Sequence, residues 1–200
     1  MAIRIKNVPS PEVLMNSMRA MGYSFKTAIA DIIDNSISAK AKNIWLFFPT
    51  SSLDEQFVSI IDDGRGMNKE ELFNAMKYGS DRKDSEEDLG RFGLGLKSAS
   101  LSQCRVLTVA SKKNGVISCF RWDLDEIVYS KEWNCLELQM DEFENMPYFS
   151  FFKSLNEGTI VLWQKFDIAE KNQVTGLHIR LFLKKSMKQK NMLGLYFIGF

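Results

Sequence analysis

The stretch DLGRFGLGLKSAS, residues 88–100, carries glycines at positions 90, 93 and 95, followed by a lysine at 97 and a serine at 98. The manner in which it would hold phosphate decides between fold classes. Gly90 and Gly95 have the spacing of a P-loop, GxxxxGK[ST], but Leu96 stands where the lysine would directly follow the second glycine. A P-loop also needs an apolar strand running into its glycines, and here RKDSEED (82–88) precedes them. The glycine order, GxxGxG, is not the Rossmann order GxGxxG either. What remains is the physics common to both loops: glycines that free backbone N–H groups, a helix start whose dipole favours anions, and Lys97 close by to meet a phosphate.

Working outward, PEVLMNSMRAMG (11–22) has helical apolar spacing and ends on a glycine, and YSFKTAIADIIDNSISAKA (23–41) reads as a longer helix. NIWLFF (43–48) and FVSIIDD (57–63) read as strands. In GRGMNKEELFNAMKYG (64–79), Asn68 and Glu71 form a capping box that starts a helix just after the Gly64/Gly66 turn. Residues 79–95 read as a mobile surface loop, LKSASLSQ (96–103) as helix, and RVLTVASKKNGVISCFRW (105–122) as a hairpin turning at Asn114-Gly115. Further strands are expected in NCLELQM (134–140) and GTIVLWQKF (158–166). Helices come first and hairpin-linked strands follow, which predicts an α+β two-layer sandwich, helices over a mostly antiparallel mixed sheet, and not a doubly wound parallel one. The tail GLHIRLFLKKSMKQKNMLGLYFIGF (176–200) begins as a basic helix and ends apolar, so it either docks on the domain or awaits a partner.

Two hundred residues, 45% hydrophobic and 26% charged, are enough for one ordinary soluble domain with a proper core. With 26 Lys and Arg against 25 Asp and Glu, there is no electrostatic case for nucleic acid or an anionic membrane. Cys104, Cys119 and Cys135 lack CxxC spacing, so neither a disulfide framework nor a zinc knuckle is expected, and a reducing cytoplasm suits them. No leader-like or membrane-spanning apolar run stands out. His178, the one histidine, reads as a surface or interface residue, and Lys165 as structural.

Within AIADIIDNSISA (28–39), Ile29, Ile33 and Ile37 line one side of the helix, while Asp31, Asn35 and Ser38 line the other. Asp31, Asp34, Asn35 and Ser36 compete for backbone hydrogen bonds in mid-helix, a local cost that points to another use. In SIIDDGRGMN (59–68) a strand ends in aspartate and turns through two glycines, leaving Asp62 at the mouth of the sheet. An ionised carboxylate there can accept from an exocyclic amine such as the N6 of adenine, and glycine lets a flat ring approach the backbone. An ordinary Asp-Gly turn would use the same letters, so the three elements matter together.

In this order, with EGTIVLW (157–163) after them, the elements resemble the GHKL ATPase superfamily: gyrase B, the large heat-shock chaperone, histidine kinases and MutL. DIIDNSISA is similar to its N-box ExxxNSxDA, DDGRGM to its DxGxG motif, GRFGLGLKSA to its ATP-lid motif and Gly158-Thr159 to its late threonine motif. GRFGLGLKSAS looks closest to the MORC-like branch and its bacterial relatives. The resemblance implies the Bergerat-type fold, one domain over 1–200 with a motif core at 24–165, and a helix or tail at 166–200 ending short of a transducer domain. It implies ATP as ligand, with Asp62 on the adenine amine, Thr159 and a water completing the base contacts, and Ala39, Gly64, Gly66 and Met67 around the purine. Asn35 would give its oxygen to Mg²⁺, and Gly90, Phe92, Gly93, Leu94, Gly95 and Lys97 would close over the phosphates.

Asp31 stands where hydrolysing members carry a glutamate, one methylene longer, and a general base must come within about 2.6–3.2 Å of its water. Slow or assembly-dependent hydrolysis, with ATP-driven homodimerisation, is the expectation. A histidine-kinase catalytic domain is disfavoured because such kinases typically place asparagine at Asp31 and because little chain precedes it to carry a phosphoacceptor helix pair. A module that holds ATP without cleaving it is the other alternative. Ser38 replaces a frequent family aspartate, which bears on a water-mediated base contact.

Overall fold

A computed structural model describes residues 10–20, 24–49, 56–77, 95–166 and 194–198. Helix α1 (Pro11–Arg19) and helix α2 (Phe25–Ser38) lead into strands β1 (Asn43–Phe47) and β2 (Phe57–Asp62). Helices α3 (Lys69–Met76) and α4 (Gly95–Leu101) precede the hairpin of β3 (Cys104–Lys113) and β4 (Val116–Asp123). Then come α5 (Leu124–Ser130), β5 (Leu136–Glu137), α6 (Met140–Phe143), α7 (Phe149–Ser154), β6 (Gly158–Phe166) and β7 (Gly194–Ile198).

Local chemistry sets the boundaries. Ser24 caps α2 by accepting from the Thr27 amide, and the expected capping box on α3 is complete, Asn68 and Glu71 each accepting from the other's backbone N–H. The β3–β4 turn places Asn114 at φ 51° and Gly115 at φ 77°, the left-handed pair that a two-residue hairpin needs.

The strands form one seven-stranded sheet in the order β5-β4-β3-β6-β2-β1-β7. Every pairing is antiparallel except β1 with β7, which run parallel from Asn43 opposite Gly194 to Phe47 opposite Ile198. The apolar end of the tail is thus a strand on the sheet edge, with Tyr196 stacked on Trp45 at 5.8 Å between ring centres. The basic helix expected before it, and His178, lie outside the described residues.

The helical layer covers one face. Phe25, Ala28, Ile29, Ile32 and Ile33 of α2, with Leu72, Met76, Ala99 and Leu101, pack on Val58, Ile60, Leu107, Val109, Val161 and Trp163. The opposite face, with Ile61, Ala110, Ile160 and Leu162, is covered by Phe143, Phe149 and Phe152 of α6 and α7. The sequence reading did not anticipate this cover. It accounts for the unbroken apolar run TIVLW in β6: a strand buried on both faces has no polar side to alternate with. Among the described residues no helix is long and apolar enough to cross a membrane.

Candidate nucleotide site

Asp62 ends β2, a strand inside the sheet, paired with Ile44 of β1 and Thr159 of β6. It is only 6% exposed, and its carboxylate accepts from the Ser36 hydroxyl at 2.8 Å and the Gly64 amide at 2.9 Å. Burial pushes its pKa up to about 6, the nearby charge of Asp63 adds to the rise, and bonds from Gly64, Ser36 and the Thr159 backbone hold it back. At that value the ionised form predominates at neutral pH. A carboxylate can accept about four hydrogen bonds, so capacity is left for a ligand.

Asp63 does different work. Its carboxylate accepts from the Lys42 and Asn43 amides at 2.7 and 2.8 Å and from the Asn43 side chain at 2.7 Å. Burial alone would raise its pKa; the Asn43 and Lys42 bonds outweigh that and hold it below the usual carboxylate range. Of the adjacent pair, one acid pins the turn between α2 and β1, and the other keeps acceptor sites unspent.

The helix and the loop meet at their ends. The Arg65 amide donates to the Ala39 carbonyl at 3.0 Å, which docks the C-terminal end of α2 on the Asp62–Met67 loop. Gly66, at φ 58°, lies so close to β3 that a Cβ there would fall 2.0 Å from the Lys112 carbonyl oxygen. Across the sheet, Asp62, Thr159 and Ser111 form one row on the face that packs against α2: Asp62 is paired with Thr159, and Thr159 with Ser111. The Ser111 and Thr159 hydroxyls are 2.9 Å apart, and the Met67 amide donates to Ser111 at 2.8 Å.

Residues 23–159 match the family described as histidine kinase-, DNA gyrase B- and HSP90-like ATPases. The chain belongs to this ATPase family. It carries the family's ATP-binding domain, as the N-box and DxGxG resemblances implied. It is 38% identical over 116 residues to ATPase morc-1 of Caenorhabditis elegans, covering 56% of this chain and 14% of that protein. It is 31% identical over 96 residues to ATPase MORC2B of Mus musculus, covering 46% of this chain and 9% of that protein. It is 34% identical over 98 residues to the DNA mismatch repair protein MutL of Dictyoglomus turgidum, covering 45% of this chain and 17% of that protein. The chain thus spans less than a fifth of the length of each of these relatives.

In this ATPase domain the polar face of α2 is placed as its spacing predicts. Asp31 is half-buried, while Asn35 and Ser38 are exposed. Ile29 and Ile33 are buried, and Ile37 is partly buried against the same core. Gly64 and Gly66 are buried, and Ala39 and Met67 half-buried, around the loop that carries Asp62. Gly95 opens α4, whereas Gly90, Phe92, Gly93 and Leu94 lie outside the described residues.

Lys97 stands differently from its expected place at the phosphates. It is fully buried, and its ammonium donates to the carbonyls of Ala75 and Lys77 at 2.9 and 2.8 Å, at the C-terminal end of α3. A cation on those carbonyls complements the negative end of the helix dipole. Lys165 donates to Asp125 at 3.0 Å and lies 3.7 Å from Asp123, tying the end of β6 to the start of α5. Burial pushes the Cys119 and Cys135 thiols up to about 12, so neither is a ready thiolate.

The sequence marks Ser36 only as a helix cost and does not single out Ser111. For Ser36 a signal existed: it falls one turn after Ile32, within the apolar stripe, where a hydroxyl must find a partner. Ser111 offered none, because its partners lie 44 to 48 residues away in sequence.

Proposed function

We propose that the domain binds Mg·ATP with the adenine amine on Asp62 and hydrolyses it slowly or on assembly. The observation that carries this reading is the buried Asp62 carboxylate with unspent acceptor capacity, set directly across from Thr159. Gly64, Gly66, Met67 and Ala39 would border the purine, and the phosphates would lie toward Gly95 at the start of α4.

The donors on α2 suit a magnesium ion that arrives with the nucleotide. Asn35 offers one exposed amide oxygen, and among the described residues no three His, Cys, Asp or Glu side chains gather into a cage. A hard cation that keeps its waters and rests mainly on phosphate oxygens needs only such a contact. Bound there, it would neutralise charge on the phosphates. Asp31, one helical turn before Asn35, would take a proton from the attacking water as its oxygen bonds to the γ-phosphorus and the bond to the β–γ bridging oxygen breaks.

ATP occupancy would favour a homodimer, the expectation that family membership supports, in a reducing compartment such as the cytoplasm that suits the three free cysteines. The deciding experiment is thermal denaturation with Mg·ATP, ADP and GTP, for the wild type and Asp62→Asn. A ligand confined to the folded state raises stability by RT ln(1 + [L]/Kd). An ATP-dependent rise that Asp62→Asn abolishes supports the reading; no rise in the wild type, or an undiminished one in the variant, overturns it. Turnover lost in Asp31→Asn with unchanged ATP affinity identifies an ATPase. A wild type without turnover, even in longer chains and as a dimer, identifies a module that binds without cleaving.

A further inference from the structure

Ser111, on β3, is 0% exposed, and its hydroxyl has three neighbours. The Met67 amide donates to Oγ at 2.8 Å, the Gly158 carbonyl oxygen lies 3.0 Å away, and Thr159 Oγ1 lies 2.9 Å away. A serine hydroxyl has one hydrogen and two acceptor lone pairs. Met67 occupies one lone pair. The Gly158 carbonyl can only accept, so it takes the hydrogen. The second lone pair is all that remains for Thr159, which must therefore donate its own hydrogen inward to Ser111. With that hydrogen spent, the Thr159 oxygen can only accept on its other side, directly across the sheet from the Asp62 carboxylate.

We propose that Ser111 is a specificity-determining positioning residue: acting through Thr159, it makes the Asp62 end of the site an acceptor-only surface. Such a surface selects a ring edge that presents an N–H donor to it directly, and rejects one that places a carbonyl oxygen there. The chemical distinction is between a 6-aminopurine and a 6-oxopurine nucleotide. A site whose buried polar groups would be left facing like groups discriminates more strongly than an apolar pocket can. The inference rests on the adenine reading of Asp62 and adds to it the residue that fixes the hydroxyl's direction.

The test is calorimetric binding of Mg·ATP and Mg·ITP to the wild type, Ser111→Ala, Thr159→Val and the double variant. Losing one directed hydrogen bond should reduce the ATP-over-ITP preference by about three- to tenfold in Ser111→Ala. In the Thr159→Val background, Ser111→Ala should change the preference no further, which a merely structural role for Ser111 would not produce. An unchanged preference in Ser111→Ala, or an equal drop in both backgrounds, overturns the proposal while leaving the adenine reading intact. A wild type that binds both nucleotides alike overturns both. Should Ser111→Ala not fold, Ser111→Cys, whose sulfur is a much weaker acceptor, decides in its place: a reduced preference supports the mechanism, and a wild-type preference sinks it.

Discussion

A β-carbon placed on Gly158 would lie 2.0 Å from the carbonyl oxygen of Asp62. The strand that carries Thr159 therefore begins in contact with the backbone of the residue at the centre of the site, at φ 148°, where an L side chain is strained as well as obstructed. Gly158→Ala is expected to cost about 3 kcal/mol or more in urea denaturation and to remove ATP binding. Gly115→Ala is the matched control: its φ is also positive, at 77°, but a Cβ there meets nothing within 4 Å. It should cost only about 1 kcal/mol and leave binding alone. Equal losses in the two variants would show that the contact with Asp62 does not matter.

Asp62 makes the protein's stability depend on pH in an unusual direction. Its ordinary value of 3.8 is raised to about 6 by burial, so between those values the folded state holds a proton that the unfolded chain has lost. Stability from this group is full below about pH 4 and is lost as pH rises through about 6, by on the order of 3 kcal/mol. Asp62→Asn removes that dependence. The variant's stability relative to wild type, without nucleotide, should rise by about that amount from pH 4 to pH 7, even though it no longer binds ATP. A difference that is flat with pH counts against an ionised, desolvated Asp62. ATP affinity of the wild type should also fall below pH 6, as the acceptor becomes a donor.

Lys97→Met separates two uses of one side chain. Because its ammonium holds the Ala75 and Lys77 carbonyls, the variant should be destabilised by about 2–4 kcal/mol in the absence of any nucleotide. A lysine whose only role was at the phosphates would leave that stability unchanged and weaken ATP binding alone.

Asn35→Ala should do the reverse. Asn35 is exposed on α2, and alanine is the better helix former, so stability should stay level or rise by up to about 0.7 kcal/mol. The dependence of ATP affinity on added magnesium should shrink. Magnesium dependence equal to wild type would remove Asn35 from the metal's surroundings.

Much of the scaffold was legible because it rests on local chemistry: the Asn68–Glu71 capping box, the Asn114-Gly115 turn, the two-sided α2 and the strand-ending Asp62. Elements that exist only through tertiary contact were not. α6 and α7 have four and six residues, too short to display a helical period, and they are held by aromatic contacts such as Phe143 to Phe149 at 5.3 Å. The strand expected in residues 134–140 is present, but shortened to the two residues of β5 that pair with β4. In the site, residue types and spacing pointed to Asp62, Asn35 and Asp31, but the direction of a hydroxyl depends on neighbours in other strands. Hence the bond from Ser36 to Asp62, the role of Ser111 and the engagement of Lys97 by α3 emerge only from the fold.

The parallel pairing of β7 with β1 has a kinetic consequence. β1 and β2 can zip together early, whereas the register from Asn43–Gly194 to Phe47–Ile198 must close a loop spanning most of the chain before its first hydrogen bond is rewarded. β7 should therefore join the sheet last and open first. In native-state hydrogen exchange its amides should trade with solvent through a local opening at lower free energy than those of β6, while the row from Asp62 to Ser111 stays shut. The sheet's edge can thus breathe without disturbing the nucleotide site.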